Sequence, residues 1–207
     1  MIRALLRPVV RPLKRRLRQT KKTLIHWIGP LFNWDLPMET EDRFWLEQRA
    51  FPYFQARPEY RRVLFVGVAY YTKHYGRFFT DQEFWTIEPD REQRRFGSQR
   101  HITDVVQHLP LYVPDDFFDL IVLNGVIGWG LNDPDDIEEA YAACHRSLRS
   151  GGILLVGWCD QPHLRCLPPK ESQSLKAFEP YAFPPFGGAE LLTDTHNRHT
   201  FNVFVRP

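Results

Sequence analysis

The chain has 207 residues, 43% of them apolar and 14% aromatic, enough for one α/β domain with a substantial core plus an extension. A net charge of +2 hides an asymmetry, because residues 1–34 carry nine Lys/Arg and no acid, which leaves −7 for the rest. A body of that sign argues against a general nucleic-acid binder, three cysteines without framework spacing argue against a disulfide scaffold and for a reducing, cytoplasmic setting, and no apolar run is long enough to span a bilayer.

Residues 1–34 read as a basic amphipathic arm. Ile2, Leu6, Val9, Leu13, Leu17, Leu24 and Ile28 recur at near-helical steps with basic residues between them. Over 1–28 this pattern suits peripheral contact with an anionic membrane surface; a mitochondrial-type presequence or a loosely packed solvated arm also fits. Residues 35–60 form a helical lead-in, with Phe44, Trp45, Phe51 and Phe54 on short helices broken at Pro52. These helices would cover the edge of the first strand or the mouth of a site.

From residue 61 to 207 the pattern alternates strand and helix. Strands are expected at Val63–Gly67, Phe84–Glu88, His101–Thr103, Asp119–Asn124 and Ile153–Trp158, then near Ala189–Asp194 and His199–Val205. This predicts a Rossmann-like three-layer sandwich with a seven-stranded, mostly parallel sheet and an antiparallel C-terminal strand. The clearest helix starts at Asp133 as N-cap, with Pro134 at N1 and Asp136 facing the dipole. Arg146 and Arg149 fall in its last turn, and Ser150-Gly151-Gly152 ends it.

The first strand ends in Gly67, and the second ends in Glu88, 21 positions later. In a βαβ unit this sets a tight backbone turn beside a carboxylate at the carboxyl ends of two neighbouring strands, where ribose hydroxyls can be gripped. A dinucleotide fingerprint would need glycine at the sixth position of the turn, where Thr72 stands. Taken in order, these signals resemble the class I S-adenosylmethionine-dependent methyltransferases, in particular the small single-domain members. The resemblance runs from about Arg61 onward.

In that family an acid-x-glycine-x-glycine-x-glycine loop holds the methionine end of the cofactor. Here Gly67 matches the first glycine, Ala69 and Tyr71 take the places of the next two, and Phe65 stands where the acid usually is. The resemblance implies cofactor contacts from Gly67, Val68, Ala69 and Tyr71. It further implies Glu88 on the ribose, Asp104 on the adenine amino group, and Asn124, Gly125 and Ile127 at the reacting end. S-adenosylmethionine is the implied cofactor. The acceptor would be a small molecule or a glycan- or lipid-linked intermediate. A second reading is a non-catalytic methyltransferase-like module docked to a membrane or a partner enzyme, motivated by the degenerate glycine loop.

The loop after the fourth strand places three glycines around Trp129, which either walls a ligand or packs under the following helix. Asp160 and His163 are candidates for proton handling, and solvated loop groups explain them as well. Cys159, His163 and Cys166 lack the tight pair and fourth ligand of a zinc site, so no metal is expected. The acceptor pocket is expected from residues 35–60, 125–132 and 160–188. In the last stretch, Tyr181, Phe183 and Phe186 suit either a substrate cover or plain packing.

Overall fold

The computed structural model describes residues 37–159, 161 and 167–207. The basic arm, Asp160, His163 and Cys166 lie outside the described residues.

Eight strands form one sheet, in the order β3-β2-β1-β4-β5-β8-β6, with β7 also paired to β8. They are β1 (Arg62–Val66), β2 (Glu83–Ile87), β3 (Arg100–Ile102), β4 (Phe118–Asn124), β5 (Leu148–Cys159), β6 (Glu179–Pro180), β7 (Glu190–Leu192) and β8 (His199–Val205). The first five are parallel, and β8 is antiparallel to β5. This is the expected architecture. The additional strand is the two-residue β6, too short to leave a periodic signal.

β1 and β4 contain the apolar runs Val63–Val66 and Leu120–Leu123 because both their faces are buried there. Leu64, Val66, Ile121 and Leu123 point to one core, with Ile137 and Tyr141 of the helix α3 (Pro134–Ser147). Val63, Phe65, Leu120 and Val122 point to the other, with Leu46, Phe51, Phe54 and Phe183. The second core is largely aromatic. Phe54 stacks on Phe183 with ring centroids 5.1 Å apart, and Phe65 meets Tyr75 edge-on at 5.0 Å.

Three details depart from the sequence expectation. First, Pro52 does not break the lead-in. Helix α1 (Glu41–Trp45) runs through a π-helical turn (Leu46–Ala50) into α2 (Phe51–Gln55), and Pro52 sits in the first turn of α2. The wider turn absorbs the missing donor. Second, the crossovers β1–β2, β2–β3 and β3–β4 are 3-10 segments (Tyr70–Phe78, Gln93–Phe96 and Val106–Leu111) rather than α-helices. Only α3 is a long helix among the described residues. Its N-cap is Asp133, whose side chain accepts from the N–H of Asp135.

Third, α3 ends at Ser147, and Arg149 belongs to β5. Arg149 Nε is 2.5 Å from Asp119, which also accepts from the N–H groups of Arg61 and Arg62 at 2.8 Å. That buried carboxylate recruits the arginine to the sheet base. Gly151, at φ +73°, falls where the β4–β5 register shifts and absorbs the irregularity.

Candidate active site

A cavity of about 600 Å³ opens at the carboxyl ends of β1, β2, β4 and β5. This is where open α/β sheets hold ligands. Its floor is the turn after β1. Gly67 adopts φ +81°, and a Cβ there would overlap the Val126 side chain, so the turn accepts only glycine. Ala69 is extended, which any residue can adopt, so the second glycine of the usual loop is dispensable here. Phe65, in the acid's usual slot, turns into the aromatic core.

Glu88 lines the cavity at the tip of β2. It accepts from the N–H of Asp90 at 3.0 Å and from that of Val68, which ties the first turn to the second strand. Desolvation raises its pKa, and those two donors offset part of the rise.

Asn124 is buried at the tip of β4. Its Oδ1 is 2.9 Å from His199 Nε2, and His199 Nδ1 is 3.6 Å from Cys159 Sγ. Trp129 donates its indole N–H to that sulfur at 3.4 Å, and its ring stands exposed at the cavity rim rather than under α3. Burial pushes the His199 pKa down to about 4, so its imidazole is neutral near pH 7, and burial raises the Cys159 thiol. With both ring nitrogens engaged, His199 orients Asn124 rather than acting as a free base. The pair lies directly over Gly157. A Cβ there would overlap Asn124 Oδ1 and stand 2.7 Å from His199 Nε2.

The cap supplies Asp42 and Arg43. Arg43 is buried; it donates from Nη1 to the Tyr75 hydroxyl at 2.6 Å, and its guanidinium lies 5.1 Å from the Tyr71 ring centroid. Burial alone would lower the Arg43 pKa, but Tyr75, Tyr71 and Asp42 outweigh it, and the net shift is upward. Arg43 is therefore a fixed cation at the cavity wall.

Of the residues singled out in the sequence, the cavity gathers Gly67, Val68, Ala69, Tyr71, Glu88, Asn124 and Gly125. It does not gather Asp104 or Ile127. Asp104 accepts from the Tyr112 hydroxyl at 2.7 Å and the Val105 N–H at 2.8 Å, and pairs with His108 at 3.0 Å. Those hydrogen bonds, that from Tyr112 above all, lower its pKa. Its carboxylate thus organises the β3–β4 crossover. Ile127 is wholly buried in the core beside α3.

Among the described residues of 160–188, none lines this cavity. Phe183 and Phe186 pack with the cap, and Thr195, His196 and Asn197 before β8 line the cavity. Arg43 and His199 escaped the sequence reading because the cap and β8 bring them in from far along the chain. One signal for Arg43 was available. It shares a helical stripe with Leu46, Ala50 and Phe54, where a charge is out of place.

Residues 66–156 match the methyltransferase-domain family. Over that stretch the chain is similar to the methyltransferase domain. S-adenosylmethionine is the cofactor that this likeness implies. The solved structures the chain resembles share this methyltransferase fold at low identity. The N-methyltransferase NodS from Bradyrhizobium japonicum WM9 aligns over 81% of this chain and 98% of its own, with TM-score 0.57 and 14% identity. The same NodS in complex with S-adenosyl-L-homocysteine aligns over 82% and 94%, with TM-score 0.55 and 15% identity. A probable spermidine synthase from Corynebacterium glutamicum ATCC 13032 aligns over 82% and 65%, with TM-score 0.56 and 15% identity. No protein of curated function matches the chain in sequence.

The residues present fit the cofactor. The cavity offers an open backbone turn at Gly67, a rim carboxylate at Glu88, and two buried donors with no hydrogen-bond partner, Asn124 Nδ2 and Arg43 Nε.

Proposed function

We propose that this methyltransferase acts on a small-molecule or glycan- or lipid-linked acceptor at the surface of an anionic membrane. The observation that carries the reading is the cavity. It is of ligand-pocket size, and its rim is formed by Trp129 and residues 195–197 beyond the Gly67 turn. In this reading Glu88 holds the ribose, the Gly67–Ala69 backbone holds the chain next to the sulfur, and Asn124 stands at the reacting end. Bound there, the cofactor supplies an electrophilic methyl group on a sulfonium. The protein's part is to align an acceptor lone pair with it and exclude water. Adenine would rest on the cavity wall without help from Asp104.

Membrane contact rests on the nine positive charges and apolar stripe of residues 1–28. Among the described residues no helix is long and apolar enough to cross a membrane. Calorimetry with S-adenosylhomocysteine, followed by methyl-transfer assays on acceptor panels with and without anionic vesicles, tests both parts. Saturable binding and vesicle-enhanced transfer are expected. Absence of any binding at millimolar ligand would overturn the cofactor assignment and leave the non-catalytic module. If full-length protein never sediments with vesicles, or protein lacking residues 1–28 still does, the membrane reading fails.

A further inference from the structure

The inner end of the cavity poses a charge problem. The acid that usually serves the methionine end of the cofactor is replaced by Phe65, which is buried in the core. The cap brings two charged neighbours to the same end, Asp42 and Arg43, both lining the cavity. They pair weakly, with Arg43 Nε 3.5 Å from an Asp42 oxygen, and that buried Nε has no hydrogen-bond acceptor. An ideal Cβ at Gly125 would lie 3.6 Å from Arg43 Nη2, which sets the guanidinium against the residue next to Asn124. Asn124 contributes a second buried donor, because His199 occupies its Oδ1 and leaves Nδ2 unpartnered.

One end of the cavity therefore presents a carboxylate, a guanidinium and an amide N–H side by side. An isolated anion would meet Asp42 and an isolated cation would meet Arg43. An α-amino-acid zwitterion satisfies both, with its ammonium on the carboxylate and its carboxylate on the guanidinium and the amide. Tyr71 and Tyr75 hold the Arg43 fork in place.

We propose that Asp42, Arg43 and Asn124 form a zwitterion-binding site, in which the cap replaces the acid missing from the glycine loop. This rests on the cofactor assignment above. The zwitterion has two sources, the methionyl end of the cofactor or the amino-acid part of an acceptor.

Two ligands separate the possibilities. S-adenosylhomocysteine carries the zwitterion, and 5′-methylthioadenosine has the same nucleoside and sulfur without it. Calorimetry is run with both on the full chain and on Asp42→Asn, Arg43→Gln and Tyr75→Phe. Arg43→Gln and Asp42→Asn should each weaken S-adenosylhomocysteine by about ten- to a hundredfold while 5′-methylthioadenosine is unchanged. Tyr75→Phe frees the Arg43 fork but keeps its charge, so it should weaken S-adenosylhomocysteine by less than Arg43→Gln does and leave 5′-methylthioadenosine unchanged.

If S-adenosylhomocysteine is indifferent to both charge variants, millimolar glycine is titrated into the protein saturated with it. Glycine binding lost in both variants would assign the site to an amino-acid acceptor. No glycine binding, or an equal loss of both nucleosides in the variants, would overturn the proposal. If neither nucleoside binds the parent protein, the cofactor assignment fails, and the zwitterion site falls with it.

Discussion

Replacing Glu88 with glutamine probes the ribose assignment with little change in shape. A carboxylate offers about four lone-pair sites. Backbone N–H groups of Asp90 and Val68 take two, so two remain toward the cavity for a pair of adjacent hydroxyls. Glutamine keeps one carbonyl oxygen and loses the charge. Hydrogen bonds to charged groups contribute about 1.5–3 kcal/mol each, so losing one such contact should raise the Kd for S-adenosylhomocysteine about 10- to 150-fold. Because burial raises the Glu88 pKa, the free carboxyl takes up its proton at higher pH than an ordinary glutamate. A ligand that prefers the charged form should therefore bind less well as pH falls through that raised value, whereas Glu88→Gln should be flat over the same range. Isothermal calorimetry from pH 7.5 down to about 4.5 reads both effects. An unchanged Kd at neutral pH, or the same acid dependence in the variant, would refute the assignment.

Gly157→Ala should separate the Asn124–His199 pair and destabilise the fold by about 1–3 kcal/mol, measured by urea denaturation, with a parallel loss of nucleoside affinity. Glu138 of α3 tests the anchoring of the following loop. It accepts from the Ser172 hydroxyl and the N–H groups of Gln173 and Ser174 at 2.7–2.8 Å. Partial burial alone would raise its pKa, but these bonds outweigh that and hold it at about 2, against an ordinary 4.5. At 1.36 kcal/mol per unit the upper bound is about 3.4 kcal/mol, and solvent screening reduces it to about 1–2. Because the folded pKa is depressed, Glu138→Gln should lose this stability fully above about pH 4.5. Its deficit against the parent should fade as pH falls toward about 2. A deficit that persists unchanged at pH 2 would show that geometry rather than charge holds the loop.

The central strands β1, β4 and β5 were legible because burial on both faces leaves long apolar runs, and Asp133-Pro134 announced α3 through its cap chemistry. The crossovers were not legible. Aromatic residues such as Tyr70, Tyr75 and Phe78 pack well in either an α- or a 3-10 helix, and short connections leave too few turns for a period to emerge. Within the site, Gly67, Glu88 and Asn124 lie at strand tips, and strand order places tips together. Asp104 also follows a strand tip, but its own neighbours Val105, His108 and Tyr112 satisfy its carboxylate first. Local partners of that kind are decided by side-chain geometry, which spacing does not carry. Arg43 and His199 reach the cavity through cap packing and the β5–β8 pairing, both long-range.

The position of β8 also sets when the site can exist. β8 is the last strand in chain order, yet it lies inside the sheet, paired to β5 on one side and to β6 and β7 on the other. It also brings His199 to Asn124, 75 positions away. Loops of that length close late, since their entropy must be met before the pairing rewards it. Until β8 pairs with β5, Asn124 lacks the imidazole that orients it. The orientation of Asn124 therefore depends on a pairing remote in sequence from the Gly67 turn, so the two ends of one cavity answer to different parts of the chain.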